Sequence, residues 1–297
     1  MSGILILGGT GMLGHVLWRT ARERAETRAT VRAASPEDVR ALLEDPVAVL
    51  AGVRAEEPAS VQRVLDEAQP EVVVNCIGVV KQSATASPTE MVRINSLFPH
   101  ELAAACAQRG SRLIHVSTDC VFSGRRGGYT ERDIPDPVDL YGRSKLAGEP
   151  SGPHVLTLRT SMIGWELGGR RQGLLEWFAA QRGGSAGGYT RAVFSGPTAA
   201  VLSRLIVELI DSHPGLSGLW HVGAEPIAKH ELLLALREAL GLEVEIVPDD
   251  RVRIDRSLDA TALREATGWT APPWEEMVAE LAAGAPAYAR GDSLARR

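Results

Sequence analysis

The chain has 297 residues, 44% hydrophobic and 23% charged, with a formal net charge of −5; this suits one or two globular domains and excludes a collagen, a coiled coil or a disordered chain. Lys and Arg number 32 against 37 Asp and Glu, so no basic excess points to nucleic acid. The longest apolar run, Glu71 to Lys81, is interrupted by Asn75 and is far shorter than the roughly 18 residues of a membrane helix.

The opening MSGILILGGTG has no basic n-region and no small-residue cleavage site, so it predicts a first β-strand and a cytoplasmic protein. Ile4 to Leu7 is that strand and Met12 to Arg24 the helix behind it. Ala29 to Arg32 (strand) and a polar helix follow, then Val72 to Cys76 (strand), Glu90 to Gln108 (helix), and the strands Leu113 to Val116 and Val155 to Leu158. This is the βαβ rhythm of a parallel sheet, and strands without polar alternation are covered on both faces. The expected class is α/β, a Rossmann-like doubly wound parallel sheet with a smaller, interleaved C-terminal substrate domain.

Beyond Leu158 the texture turns Gly-rich and aromatic, which reads as substrate-side loops and helices. Helices are expected near Ala199 to Asp211 and Lys229 to Leu240, a short strand at Val244 to Val247, and a last helix after Pro272 and Pro273. The expected division is 1–160 for dinucleotide binding, with a segment near 192–222 returning to it. Residues 161–191 and 223–285 form the substrate region, and 286–297 a mobile tail. Cys76, Cys106 and Cys120 have no metal-like spacing, so reduced thiols and no metal site are expected.

Directly after the first strand, Gly8-Gly9-Thr10-Gly11-Met12-Leu13-Gly14 satisfies GxGxxG from Gly9 and GxxGxxG from Gly8, and leads into a helix. Glycines there serve the turn, close approach of backbone N–H groups to a pyrophosphate, and helix packing. At the end of the second strand, Thr30 to Ser35 holds no acid for a ribose 2′-hydroxyl but offers Arg32, which suits a 2′-phosphate. NADP(H) is the expected cofactor, with NAD(H) as the alternative.

Tyr141-Gly142-Arg143-Ser144-Lys145 puts Tyr and Lys one helical turn apart. A lysine ammonium stabilises tyrosinate, and Tyr141 becomes a general acid for a carbonyl oxygen receiving hydride. Thr118, just past the strand Leu113 to Val116, supplies a hydroxyl at the ligand-binding edge of the sheet to hydrogen-bond that oxygen.

These motifs, with Asn75-Cys76-Ile77-Gly78, Ser117 to Gly124, Arg159-Thr160-Ser161, Gly196-Pro197-Thr198 and Arg256 to Trp269, resemble the extended short-chain dehydrogenases/reductases, in their dTDP-4-dehydrorhamnose reductase-like branch. The resemblance runs to about the last helix. It implies NADPH-dependent reduction of the 4-keto group of a nucleotide-linked 6-deoxyhexose, with Thr118, Tyr141 and Lys145 as the triad. It also implies that Asn75 to Gly78 runs beside the cofactor, that Asn95 orders the active-site helix, and that a homodimer forms, although no apolar stripe specifies one.

Departures fall where sugar would be recognised. Cys120 stands where the family has an aromatic residue, and Ala192-Val193-Phe194-Ser195 where it has acidic or Gln side chains. Candidate substrate contacts are Lys81, Asp119, Cys120, Thr160, Ser161, Arg191, Phe194 and Arg256, with Arg159, Arg191 and Arg256 as the guanidiniums for a diphosphate. Asp119 is followed by Cys120 rather than a second carboxylate, which disfavours dehydration. Two alternatives remain open: an epimerase with tightly bound NAD(P), and a non-catalytic dinucleotide-binding regulatory subunit.

Overall fold

The computed structural model describes residues 3–32, 48–80, 87–167 and 173–294. Seven strands, β1 (Ile4–Leu7), β2 (Thr27–Thr30), β3 (Val49–Leu50), β4 (Val72–Asn75), β5 (Arg112–Val116), β6 (Val155–Arg159) and β8 (Gly218–His221), form one parallel sheet in the order β3-β2-β1-β4-β5-β6-β8. The remaining strands, β7 (Ser185–Phe194), β9 (Ile227–Ala228) and β10 (Glu245–Asp255), form a second sheet in which β7 lies between β10, parallel, and β9, antiparallel. The doubly wound expectation is met. The strand order reverses between β1 and β4, where such sheets open a crevice beyond their carboxyl ends.

Every residue of β1 and β4 is buried, because helices cover both faces. On one face α1 (Met12–Ala21) packs Leu17 and Trp18 against Ile4, Ile6 and Val74, beside a helix at Ala199–Asp211 that contributes Leu202, Leu205 and Ile206. On the other, α2 (Pro58–Ala68) and a helix at Phe98–Arg109 bury Val64, Leu65, Phe98 and Leu102 on Leu5, Leu7 and Val73. In chain order the further helices are α3 (Pro88–Val92), α4 (Phe98–Arg109), α5 (Leu140–Ala147), α6 (Leu174–Ala179), α7 (Ala199–Asp211), α8 (Lys229–Ala239), α9 (Thr261–Thr267) and α10 (Trp274–Leu294). The second sheet shares a separate core with α6, α8 and α10, built from Phe178, Leu232, Leu236, Met277 and Leu281.

Several elements differ from expectation. The segment read as Gly-rich loops contains the ten-residue β7. Its Gly188 lets α8 lie close, since a Cβ there would stand 2.5 Å from His230 Nδ1 and 2.8 Å from Ile246. The strand expected at Val244 to Val247 continues to Asp255, with Pro248 tolerated at the sheet's edge, where its missing N–H breaks no ladder. The helix expected over Glu90 to Gln108 is three pieces, α3, a π-helical turn at Arg93–Leu97, and α4, with Pro99 in the first turn of α4. The expected polar helix after β2 lies largely outside the described residues. α10 runs to Leu294, and its Tyr288 hydroxyl meets His15 Nε2 (2.8 Å) on α1.

Candidate active site

β1 ends at Leu7 and the chain turns through Gly8 to Gly14 into α1. Gly8 has φ +87°, a left-handed conformation open to glycine. Its N–H donates to Thr30 Oγ1 (3.1 Å) and the Gly9 N–H to the Thr30 carbonyl (2.8 Å), which pins the loop to β2. A Cβ on Gly14 would collide with the Gly8 carbonyl oxygen, so the first helical turn can approach the loop only as glycine. Gly11 caps α1 without a side-chain acceptor, and the first turn holds no acid. The leading N–H groups therefore stay available to an anion.

β5 delivers Ser117, Thr118 and Asp119 to the same edge. Thr118 Oγ1 accepts from the Cys120 N–H (3.2 Å) and donates to Asp119 Oδ1 (3.3 Å). Opposite, α5 starts at Asp139, whose carboxylate accepts from the Gly142 N–H (2.8 Å). That cap fixes the turn carrying Tyr141 and Lys145. Gly142 lets this turn sit on the Cys120 backbone: a Cβ would collide with the Cys120 carbonyl and stand 2.9 Å from Pro137 Cβ. The Tyr141 hydroxyl is thereby brought beside the Thr118 side chain, and Lys145 Nζ donates to the Val116 carbonyl (2.8 Å).

Burial dominates the electrostatics. It raises Tyr141 above its ordinary value, aided by the neighbouring Cys120 and opposed by the Thr118 side chain; the phenol keeps its proton at neutrality. Burial pulls the Lys145 ammonium down to about 8, opposed by the charge of the nearby Glu149 carboxylate. It pushes the Cys76 and Cys120 thiols up to about 12 and raises Asp119, which Ser161 and Arg256 pull the other way. Both thiols are neutral packing groups here.

Beneath the site, Glu149 accepts from Ser117 Oγ (2.6 Å) and from Arg159 Nε (2.9 Å) and Nη2 (2.8 Å). Arg159 is 3% exposed, so its guanidinium balances Glu149 inside the protein and is not free for a diphosphate, contrary to expectation. Asn95 accepts from the Val79 N–H (2.8 Å) and donates to the Val79 carbonyl (2.9 Å) and Ser144 Oγ (3.2 Å). It ties the loop after β4 to α5. Asn75 turns its carboxamide to His115 Nδ1 (3.1 Å) and the Ile77 N–H (3.1 Å), shaping the same loop from below.

One cleft of about 850 Å³ joins these parts. Of the residues expected at the site, Gly8, Thr10, Gly11, Met12, Leu13, Arg32, Cys76, Ile77, Gly78, Thr118, Asp119, Cys120, Tyr141, Lys145, Thr160, Ser161, Phe194 and Arg256 line it. Gly14, Asn75 and Asn95 support it from behind. Arg191 lies elsewhere: it faces the solvent side of the second sheet, opposite Arg253, in a separate concavity with Arg125 and Arg126. The alternation of β7 puts Arg191 on that face. Lys81 lies outside the described residues. The cleft also contains Arg54, Glu56, Glu166 and Lys229, which sequence reasoning missed. Arg54 and Glu56 follow a two-residue strand too short to read; Lys229, one of three lysines and first in an amphipathic helix, carried a usable signal.

The family model described as the RmlD substrate binding domain matches residues 1–285. A Haloferax volcanii protein named "Probable low-salt glycan biosynthesis reductase Agl14" is 30% identical over 306 residues, covering 95% of this chain and 98% of that one. Methionine adenosyltransferase 2 subunit beta of Rattus norvegicus is 32% identical over 149 residues, 49% of this chain and 41% of that one. The structure of dTDP-4-dehydrorhamnose reductase from Bacillus anthracis in complex with NADP has TM-score 0.77 at 22% identity, covering 95% and 98% of the two chains, and so shares the fold. With its model spanning all but the last dozen residues and the nucleotide loop, Thr118 and the Tyr141–Lys145 helix on one cleft, this chain belongs to the RmlD substrate-binding-domain family.

Proposed function

We propose that the protein reduces the 4-keto group of a nucleotide-linked 6-deoxyhexose with NADPH. The observation that carries this reading is the convergence of Tyr141, Thr118 and Lys145 at the end of β5, on the same cleft as the glycine loop. The loop fits a dinucleotide: Gly14 is a cradle that a Cβ would fill, and the leading N–H groups of α1 are uncapped by any side chain. Residues Gly8 to Leu13 would hold the pyrophosphate, and Cys76 to Gly78 would flank the nicotinamide side. When bound, NADPH supplies the hydride that the protein lacks.

The chain's own residues do the rest. Tyr141, protonated because it is buried, donates its O–H proton to the carbonyl oxygen as that oxygen becomes an alkoxide. Thr118 donates a hydrogen bond to the same oxygen and gives up its bond to Asp119 to do so. The Lys145 ammonium, held by the Val116 carbonyl, stabilises the tyrosinate left behind until solvent returns a proton. Arg256, whose Nε donates to the Phe122 carbonyl (2.8 Å), places its guanidinium on the cleft beside Asp119 for the substrate's diphosphate.

The likeness to a methionine adenosyltransferase subunit over half of the chain supports a second reading, a dinucleotide-binding accessory subunit. Mixing the protein with NADPH and a panel of 4-keto-6-deoxy nucleotide sugars separates them. Stoichiometric loss of NADPH absorbance with one panel member establishes the reductase. Tight NADPH binding with no turnover on any member would favour the subunit, and isomerisation without net NADPH loss an epimerase.

A further inference from the structure

At the adenosine end of the cleft, two guanidiniums converge on one carboxylate oxygen. Arg32 Nη2 lies 2.6 Å and Arg54 Nη2 2.9 Å from Glu56 Oε1. Two more acids stand outside this pair, Glu57 at 3.0 Å from Arg54 Nε and Glu90 at 3.6 Å from Arg32 Nη2. The backbone builds the cluster: the Val53 N–H donates to the Val31 carbonyl (3.0 Å), which sets the chain after β3 beside the end of β2. Arg32, Arg54, Glu56 and Glu90 all line the cleft with Gly8 to Leu13.

We infer that Glu56 sets the choice between NADPH and NADH, by occupying with its carboxylate the paired guanidiniums of Arg32 and Arg54 that a 2′-phosphate would take. The inference rests on the dinucleotide reading above. In this fold the adenosine ribose sits beside the residues just past the second strand, where an acid accepts the 2′-hydroxyl and an arginine accepts the 2′-phosphate. Here both chemistries are present in contact. Two planar forks aimed at one oxygen form the geometry that binds a phosphate. Glu56, Glu57 and Glu90 surround the two arginines, and Arg93, which also feels Glu56, is held by Glu101, so a 2′-phosphate entering without displacing Glu56 finds both guanidiniums already taken. Displaced, Glu56 swings into solvent at little cost, since its side chain is 26% exposed and the arginines 56% and 43%.

The test measures equilibrium binding of adenosine 2′,5′-bisphosphate and 5′-AMP, and of NADPH and NADH, to the wild type, Glu56→Gln and Arg54→Gln. Glu56→Gln is expected to tighten the 2′-phosphorylated ligands about fivefold to tenfold, the scale of one partly screened charge, and to change 5′-AMP and NADH less than twofold. Arg54→Gln is expected to weaken the 2′-phosphorylated ligands selectively, and both contrasts to shrink in high salt. Equal shifts for all four ligands would show a merely structural role and overturn the inference. Selective weakening of NADH by Glu56→Gln, with no gain for NADPH, would make Glu56 a 2′-hydroxyl acceptor and overturn it as well. Failure of the wild type to bind either dinucleotide would remove the functional reading itself.

Discussion

Gly142→Ala tests the link between a close backbone contact and chemistry. Gly142 lies between Tyr141 and Lys145, and its N–H is capped by Asp139 at 2.8 Å. An added Cβ would collide with the Cys120 carbonyl oxygen and stand 2.9 Å from Pro137 Cβ and 3.2 Å from the Cys120 carbonyl carbon. None of these neighbours is the end of a flexible side chain, so the first turn of α5 must retreat by on the order of 1 Å to restore van der Waals contact. Overpacking costs roughly 1–3 kcal/mol and the stretched cap up to about 1 kcal/mol more. A total of about 1–4 kcal/mol lowers Tm by roughly 2–16 °C at 2–4 °C per kcal/mol. The same retreat moves Tyr141 off Thr118, and a misplacement of about 1 Å costs on the order of 100-fold in kcat. Thermal unfolding and single-turnover kinetics read the two effects. Gly187→Ala, where a Cβ meets nothing within 4 Å, is the control and should leave both unchanged. A Gly142→Ala protein with wild-type Tm and turnover would refute the reasoning.

Three further outcomes are expected. The folded state lowers Lys145 to about 8 from 10.5, so kcat should fall as pH rises through about 8 and the ammonium is lost. Over the same range this group should not destabilise the fold: the unfolded chain binds the extra proton between those values, so Lys145 adds stability as pH rises. A pH–rate profile beside a pH–Tm series checks both signs. Glu149→Gln leaves the Arg159 guanidinium buried against a neutral amide and should cost about 3–5 kcal/mol in urea unfolding, whereas Glu149→Leu with Arg159→Leu should recover much of it. Asn95→Ala removes three buried hydrogen bonds, two to Val79 and one to Ser144. It should raise the KM for NADPH and lower stability by about 2–4 kcal/mol, measured by cofactor titration and denaturant midpoint.

The large sheet was legible because its strands are buried on both faces: Ile4 to Leu7 and Val72 to Val74 are unbroken apolar runs that leave little choice of class. The glycine loop, Thr118, Tyr141 and Lys145 were legible because each motif is local, spanning a single turn or one strand end. The second sheet was obscure for the opposite reason. β7 carries Gly187 and Gly188, of which Gly188 serves close packing, and β10 contains Pro248, so both have loop composition while long-range pairing makes them strands. Arginines misled most. Arg159, Arg191 and Arg256 look alike in sequence, yet one is buried on Glu149, one faces solvent and one lines the cleft. Arg32 lines the cleft, but its partner Glu56 lies 24 residues on, beyond any local pattern. No helix among the described residues is long and apolar enough to cross a membrane.

The most direct measurement follows a labelled hydrogen. With NADPH carrying deuterium at the nicotinamide C4 and a 4-keto-6-deoxy nucleotide sugar as substrate, mass spectrometry and NMR read where the label goes. The proposed mechanism predicts one deuterium at C4 of the product sugar, one NADPH consumed per product, and loss of that transfer in Tyr141→Phe with NADPH binding intact. Product whose C4 hydrogen comes from solvent, or full transfer by Tyr141→Phe, would contradict it.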